Sequence, residues 1–178
     1  TEEAGIINNS DKDTFWIIDP IDGTINFLHG IPHFAISIAL KVKNEIKSGV
    51  IFDPIKNEIF YAEKNNGSFF NNQRIRVSKK NNINDCLFAT NHEGAKNSSL
   101  ILRYTGCAAL YFAYVGCGRL DGFFHNKINL WDVAAGVLVV EEAGGKVNDI
   151  NKFEINNIDI RASSSNIYQK MLENLQNF

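Results

Sequence analysis

The sequence FWIIDPIDGTINF, residues 15–27, is an apolar run that ends in two aspartates, Asp19 and Asp22. The apolar residues before Asp19 predict a buried β-strand. Pro20 fixes φ and has no N–H, so we expect the strand to stop there and the chain to turn. The turn would direct both carboxylates, with the Ile21 carbonyl between them, into one space. Mg²⁺ prefers oxygen ligands of these kinds.

The two residues after Asp22 suit a phosphate group. Gly23 allows the close approach of a backbone N–H because no side chain intervenes, and the Thr24 hydroxyl can position water. Asp, Pro and Gly are also ordinary turn-forming residues, so this motif taken alone is better interpreted as a plain turn. The choice between the two interpretations depends on other parts of the chain.

Acidic residues elsewhere in the chain could complete such a site. Asp132 follows Trp131 at the start of a predicted helix over residues 131–145, where it could be the N-cap, a carboxylate presented at the positive helix end, or both. Glu2 and Glu3 stand at the beginning of the sequence, Glu2 being 17 residues before Asp19, and alone they indicate only a solvated terminus. Each group by itself has a structural explanation.

The first half of the chain predicts an antiparallel sheet. Short β-rich runs are separated by Asn, Gly, Lys and Pro, at residues 34–43, 47–53, 57–63 and 67–78. The spacing leaves no room for crossover helices, so the strands should form a meander. A further strand is predicted over residues 86–90.

The second half predicts alternating helices and strands. Residues 105–118 are Ala-rich and apolar nearly all round, which indicates a buried helix. A strand over 120–125, the helix over 131–145 and two short strands, KVNDI and DIRASSS, come before a closing amphipathic helix with its apolar stripe at Ile167, Met171, Leu172 and Leu175. We therefore predict an α+β fold with helices layered on sheets. We expect one domain over 1–178, with an antiparallel-sheet portion (1–90) carrying the motif and an α/β portion (100–178).

Composition excludes several classes of protein. The net charge of −2 offers no overall field for nucleic acid or an anionic membrane. No apolar run reaches the roughly 18 residues that would span a bilayer, and nothing resembles a signal peptide. Three cysteines without a C-x-x-C pair favour buried thiols in a reducing compartment. We expect a cytoplasmic protein that has no direct contact with nucleic acid or membrane.

Together the motifs resemble those of the inositol monophosphatase family. TEEAG, WIIDPIDGTINF, TGCAALYFAYVGCGRLDGFF and WDVAAGVLVVEEAGG occur in the order of that family's motifs and span essentially the whole chain. The resemblance implies a layered αβαβα sandwich of the inositol monophosphatase/fructose-1,6-bisphosphatase type, whose N-terminal helical part is lacking from this sequence. It also implies a site with two or three Mg²⁺ ions.

The resemblance assigns site residues by motif position. It implies metal ligands at Glu2, with Glu3 its less direct neighbour, and at Asp19, Ile21 (through its carbonyl), Asp22 and Asp132. It implies catalytic roles for Thr24, Asp19 and Glu2. Substrate contacts are implied for Asp22, Gly23, Thr24, Ala108 (through its backbone), His125 and Asp132. Family members often have Glu where this chain has His125, so the preferred alcohol is an open question.

The implied activity is hydrolysis of a small polyol phosphate, foremost inositol 1-phosphate, by metal-activated water, with inhibition by lithium. Fructose 1,6-bisphosphate, histidinol phosphate or an adenosine bisphosphate are alternative substrates, because fold and ligands do not separate them. Another alternative is a regulatory protein partner of the transcription antitermination machinery. The family is typically homodimeric, so the resemblance also implies a homodimer.

Overall fold

The computed structural model describes residues 13–92, 95, 100–149 and 155–175, and Glu2 and Glu3 lie outside these ranges. The first sheet has six strands that pair in chain order, each antiparallel to the next. The predicted meander is therefore confirmed. Its strands are β1 (Thr14–Asp22), β2 (Ala35–Val42), β3 (Glu45–Asp53), β4 (Glu58–Glu63), β5 (Gly67–Phe70) and β6 (Gln73–Arg74).

The second sheet is mixed and has the strand order β10-β11-β9-β7-β8. Its strands are β7 (Leu87–Ala89), β8 (Ile101–Arg103), β9 (Gly122–Ile128), β10 (Gly145–Val147) and β11 (Ile158–Ser164). β7 pairs in parallel with both β8 and β9. The expectation that the antiparallel portion extends to residue 90 is therefore wrong, because β7 finds its partners in strands that come later in the chain.

β1 does not stop at Asp19, as Pro20 led us to expect, but continues to Asp22. Asp19 pairs with Ser37 and Asp22 pairs with Ala35. Between these two pairs β1 advances by three residues, whereas β2 advances by only two. This extra residue is a β-bulge, a place where a strand tolerates proline. In a regular strand residues three apart point to opposite faces. The bulge removes that alternation, and both aspartates are buried, with exposed fractions of 1% and 7%.

The helices form two further layers. The helices α2 (Ala108–Gly116) and α3 (Leu130–Glu142) pack against each other and against strands of both sheets. α4 (Tyr168–Leu175) packs against Phe88 and Phe124, in a cluster separate from the main core. α1 (Thr24–Leu28), directly after the aspartates, is a short helix that the sequence analysis did not predict.

These layers confirm the α+β class and follow the order of the expected sandwich from the first sheet to α4. The fifth layer, the N-terminal helical one, has no counterpart among the described residues.

Within the ranges that the structure describes, no helix is both long and apolar enough to cross a membrane.

Gly49 lies at a close approach between the first sheet and α3. A Cβ at this position would lie 2.8 Å from the carbonyl oxygen of Ala135 and 2.9 Å from its Cα. Both atoms belong to the helix backbone, so they cannot move aside as a flexible side chain would. The absence of a side chain on Gly49 therefore sets how closely α3 approaches the sheet.

We expect Gly49→Ala to lower the free energy of unfolding by about 1–3 kcal/mol, the usual cost of overpacking a core. Chemical denaturation of the variant and the wild type measures the difference. Ser48→Ala on the same strand is the control, since Ser48 is only half-buried. Equal stability of Gly49→Ala and wild type would contradict the close approach.

Candidate metal centre

Three carboxylates converge where β1 ends and α3 begins. Asp19, Asp22 and Asp132 each offer an oxygen, and these oxygens lie within 4.8 Å of one another. The Ser37 hydroxyl donates a hydrogen bond of 3.3 Å to the carbonyl of Trp131. Because Ser37 is also the strand partner of Asp19, this bond connects the first turn of α3 to the sheet beside Asp19.

The arrangement fits a divalent cation. Like charges held this close with little access to water repel one another, and a bound cation removes that repulsion. Hard carboxylate oxygens are the ligands that Mg²⁺ and Ca²⁺ prefer. The three carboxylates therefore fit a metal site.

Asp132 lies three residues into α3 rather than at its N-cap. The N-cap is Asn129, and the backbone N–H of Asn129 donates a 3.1 Å hydrogen bond to Oδ2 of Asp132. The interpretation of Asp132 as the N-cap is therefore wrong. The helix begins earlier, at Leu130, and its N-cap lies three residues before Asp132. Its carboxylate still supports the helix start while it belongs to the acidic cluster.

Asp22 meets the N-terminus of α2. Its Oδ2 accepts hydrogen bonds from the Ala109 N–H at 2.6 Å and from the Cys107 thiol at 3.0 Å. Burial raises the pKa of Asp22 to about 7 and the Asp19 charge adds to the rise, although both of these hydrogen bonds lower it. A cation at the cluster would favour the ionised carboxylate in the same way as the two donors do.

Asp19 and the residues that follow Asp22 have local partners. Oδ1 of Asp19 accepts the Ile21 N–H at 3.0 Å, which fixes the carboxylate across the bulge. The Thr24 hydroxyl donates to the Ile21 carbonyl at 2.9 Å. A carbonyl oxygen has two lone pairs, so the bond from Thr24 does not by itself exclude a further ligand on Ile21.

Gly23 has φ +90°, a left-handed conformation that favours glycine. A Cβ at Gly23 would lie 3.1 Å from the His33 carbonyl oxygen and 3.2 Å from that of Gly106. Glycine is therefore required here both by the conformation and by the close approach of the loop that precedes α2.

The remaining predicted site residues lie in different places. Ala108 is the first residue of α2, next to Cys107, and so borders the cluster. His125 is on β9, where its ring lies 6.5 Å from the Phe123 ring and Nδ1 contacts the Asn126 carbonyl. Burial lowers the pKa of His125. It is not a member of the acidic cluster, and Glu2 lies outside the described residues.

Cys107 is a site residue that sequence reasoning missed, because all three cysteines were interpreted as small apolar residues. All three are free thiols, and that of Cys107 hydrogen-bonds to Asp22. A thiol is a weak hydrogen-bond donor, and the apolar residues that follow Cys107 in the sequence gave no signal of this contact.

We expect Cys107→Ala to raise the Mg²⁺ concentration for half-saturation by about tenfold, the lower end of the usual cost of removing a partner of a metal ligand. Cys107→Ser keeps a donor and should stay near the wild type. Calorimetric titration with Mg²⁺ measures the affinity without any substrate. Identical affinities for the Ala and Ser variants would show that the thiol hydrogen bond does not contribute.

Comparison with known proteins finds matches along nearly the whole chain. Residues 1–177 match the family model described as the inositol monophosphatase family. A fructose-1,6-bisphosphatase/inositol-1-monophosphatase of Thermotoga maritima is 45% identical over 163 residues, which is 86% of this chain and 63% of that protein. The Nus factor SuhB of Haemophilus influenzae is 41% identical, covering 99% of this chain and 72% of the relative.

Solved structures show the same fold. The extragenic suppressor protein SuhB from Bartonella henselae has a TM-score of 0.90 and 41% identity, covering 98% of this chain and 75% of that one. The inositol monophosphatase from Anabaena has a TM-score of 0.89 and 34% identity, with coverages of 99% and 77%. The chain thus spans 63–77% of the length of these proteins.

Proposed function

The chain belongs to the inositol monophosphatase family, and from that premise we propose that it is a Mg²⁺-dependent phosphomonoesterase. The proposed substrate is inositol 1-phosphate or a similar small polyol phosphate. The observation that carries the proposal is the convergence of Asp19, Asp22 and Asp132 beside the Gly23-Thr24 pair. A purely structural turn would have no physical need for three carboxylates this close together.

We propose that the Asp19, Asp22 and Asp132 carboxylates and the Ile21 carbonyl hold two or three Mg²⁺ ions, with Glu2 as a further ligand. When bound, the ions supply activation of water and stabilisation of the charge that develops on the leaving oxygen. The protein's part is to hold the carboxylates in place. It does so with hydrogen bonds from Ile21 to Asp19, from Ala109 to Asp22 and from Asn129 to Asp132.

Thr24 is proposed to orient the attacking water. Its hydroxyl proton is given to the Ile21 carbonyl, so the lone pairs of the hydroxyl oxygen are directed away from that bond. Thr24 is exposed, so a water can reach it and donate a proton to these lone pairs. A water held in this way keeps its own lone pair free to attack phosphorus.

We propose that the phosphate lies against Gly23 and Thr24 and that the alcohol lies toward Ala108 and His125. Gly23 carries no side chain that would keep a phosphate oxygen away from the backbone. An imidazole at His125 can donate or accept one hydrogen bond, where a carboxylate would only accept. The alcohol preference is therefore the part of the proposal that needs direct measurement.

The test is phosphate release by the full-length protein from a panel of inositol 1-phosphate, fructose 1,6-bisphosphate, histidinol phosphate and adenosine bisphosphate. Each substrate is measured with and without Mg²⁺ and over a lithium titration. We expect Mg²⁺-dependent turnover that lithium inhibits, fastest with inositol 1-phosphate. If only another member of the panel were hydrolysed, that compound would replace inositol 1-phosphate as the proposed substrate. If none were hydrolysed, the phosphatase proposal would be overturned.

A second candidate function is regulation of transcription antitermination through a protein contact. It is supported by relatives named Nus factor SuhB, for example those of Haemophilus influenzae and Escherichia coli at 41% and 42% identity. The two functions are compatible, since the acidic cluster serves only the first. Co-purification with the transcription elongation complex, compared between wild type and a variant without activity, separates them.

Three further properties are proposed. The described residues belong to one domain, because α3 packs against strands of both sheets. The protein is cytoplasmic, because Cys86, Cys107 and Cys117 are all free thiols, as expected in a reducing compartment. It is a homodimer, as its family membership suggests, and a solution mass equal to one chain would contradict this.

A further inference from the structure

The chain segment 105–107, which we name the 105–107 loop, forms one wall of the metal centre. It leads into α2, and its Gly106 carbonyl and Cys107 Cβ lie 3.2 and 3.4 Å from where a Cβ on Gly23 would be. The Cys107 thiol hydrogen-bonds to Asp22. Any displacement of this loop therefore changes the surroundings of Gly23 and Asp22 directly.

The loop is exposed at Thr105 and Gly106, so core packing alone does not fix its conformation. One side of it is held by Asn26, whose Nδ2 donates to the carbonyl of Thr105 at 2.7 Å and to that of His33 at 2.8 Å. The other side is held by Tyr111, a residue of α2 whose side chain is only 1% exposed. The hydroxyl oxygen of Tyr111 accepts hydrogen bonds from the N–H groups of Thr105 and, at 2.8 Å, Gly106.

The hydrogen-bonding capacity of Tyr111 is used completely. A phenol has one proton and two lone pairs. The proton goes to Oδ1 of Asn91 at 3.1 Å, beyond the end of β7, so both lone pairs remain for the two loop amides. Asn91 thus fixes the direction of the Tyr111 proton, and Tyr111 fixes the loop.

The ring of Tyr111 is fixed as well. Its centroid lies 5.1 Å from that of Phe123 on β9, inside the main core. The hydroxyl is therefore presented from a rigid position, which is the condition for placing a flexible loop with useful accuracy. Phenylalanine would keep this packing and lose only the three hydrogen bonds.

We propose that Tyr111 is a positioning residue, which holds the 105–107 loop against Gly23 and Asp22 and so sets the affinity of the centre for metal and substrate. The inference rests on the proposed function for its kinetic part. Without the phenol oxygen, the N–H groups of Thr105 and Gly106 hydrogen-bond to water instead, and the loop moves away from Gly23. The Cys107 donor to Asp22 moves with it.

The test is Tyr111→Phe in the full-length protein. We expect kcat/KM for inositol 1-phosphate to fall about tenfold, mainly through KM, and the Mg²⁺ dissociation constant from calorimetry to rise severalfold, as when a supporting partner of a ligand is lost. Tyr61→Phe is the matched control. The Tyr61 hydroxyl donates to Oδ1 of Asn72 and its ring stacks on Phe69, both near the β6 end of the first sheet, so both quantities should stay at wild-type values.

A second pair of variants tests the Asn91 contact. Asn91→Leu removes the acceptor of the Tyr111 proton and should reproduce part of the Tyr111→Phe effect. Asn91→Asp keeps an acceptor, so its KM and its Mg²⁺ affinity should stay near the wild-type values. Because the two residues act through one contact, Asn91→Leu should add little to Tyr111→Phe. If the losses in KM and Mg²⁺ affinity were additive, Asn91 would not act on the loop through Tyr111.

The outcomes separate this inference from the proposed function. If Tyr111→Phe lowers only the melting temperature and leaves KM and Mg²⁺ affinity unchanged, the residue is purely structural and the inference is wrong. If the wild type hydrolyses nothing in the panel, the proposed function fails. The Mg²⁺ affinities of the Tyr111 and Tyr61 variants then still decide the inference.

Discussion

Asp19→Asn is expected to reduce Mg²⁺-dependent phosphate release by at least about 100-fold, because a metal ligand that supplies several kcal/mol of charge stabilisation loses its charge. Asparagine has the same shape, and its carbonyl oxygen can still accept the Ile21 N–H that Asp19 Oδ1 accepts now. The bulge and the strand pairing should therefore persist. The loss would come from the missing charge alone.

The same substitution should change stability in the opposite direction. Without Mg²⁺, removing one of several crowded negative charges relieves repulsion, so the metal-free variant should be at least as stable as the metal-free wild type. Mg²⁺ stabilises the wild type by binding only its folded state, and the variant should show little of this stabilisation. Thermal unfolding with and without Mg²⁺ measures both effects.

Asp159→Asn is a suitable control for Asp19→Asn. Asp159 is an exposed residue of β11, and its carboxylate accepts the Lys127 N–H away from the acidic cluster. We expect wild-type activity and a wild-type response to Mg²⁺. A fully active Asp19→Asn enzyme would remove Asp19 from the site and with it the proposed metal centre.

Substitutions of Asp132 should separate its two roles. Asp132→Asn should lower activity by about 100-fold with little change in the melting temperature, since the amide oxygen still accepts the Asn129 N–H. Asp132→Ala should lower activity equally and also destabilise the protein by about 1 kcal/mol, the usual cost of losing a hydrogen bond at a helix start. Activity and thermal unfolding are measured on both variants.

The comparison of the two Asp132 variants contains its own control. Equal activities with different melting temperatures would assign the charge to the metal site and the hydrogen bond to the helix. If Asp132→Asn kept full activity while Asp132→Ala lost it, the residue would serve the helix start alone. The acidic cluster would then consist of the two aspartates of β1.

Much of the fold was predictable because it depends on local sequence. The meander follows from short β-rich runs separated by turn residues, which leave room for hairpins only. The buried helix α2 follows from apolar residues on all its faces. β7 was assigned to the wrong sheet, because strand partners later in the chain leave no trace in the sequence of the strand itself.

The three aspartates of the acidic cluster were also predictable, but the residues that hold them in place were not. The motif and its family resemblance point to Asp19, Asp22 and Asp132, and the structure brings these three together. Cys107 and Tyr111 were missed, because a buried thiol and a buried phenol look like ordinary core residues in a sequence. Their polar atoms matter through partners far away in the chain, Asp22 and Asn91.

Turn chemistry, periodicity and the family motifs predicted the three carboxylates and most of the strands and helices that carry them. How these carboxylates come together depends on the tertiary structure. Ser37 and Trp131, 94 residues apart, bring α3 to the end of β1, and a single extra residue in β1 turns Asp19 and Asp22 to the same side. The physical reason is that strand register and helix packing depend on contacts between distant segments, which no local pattern encodes.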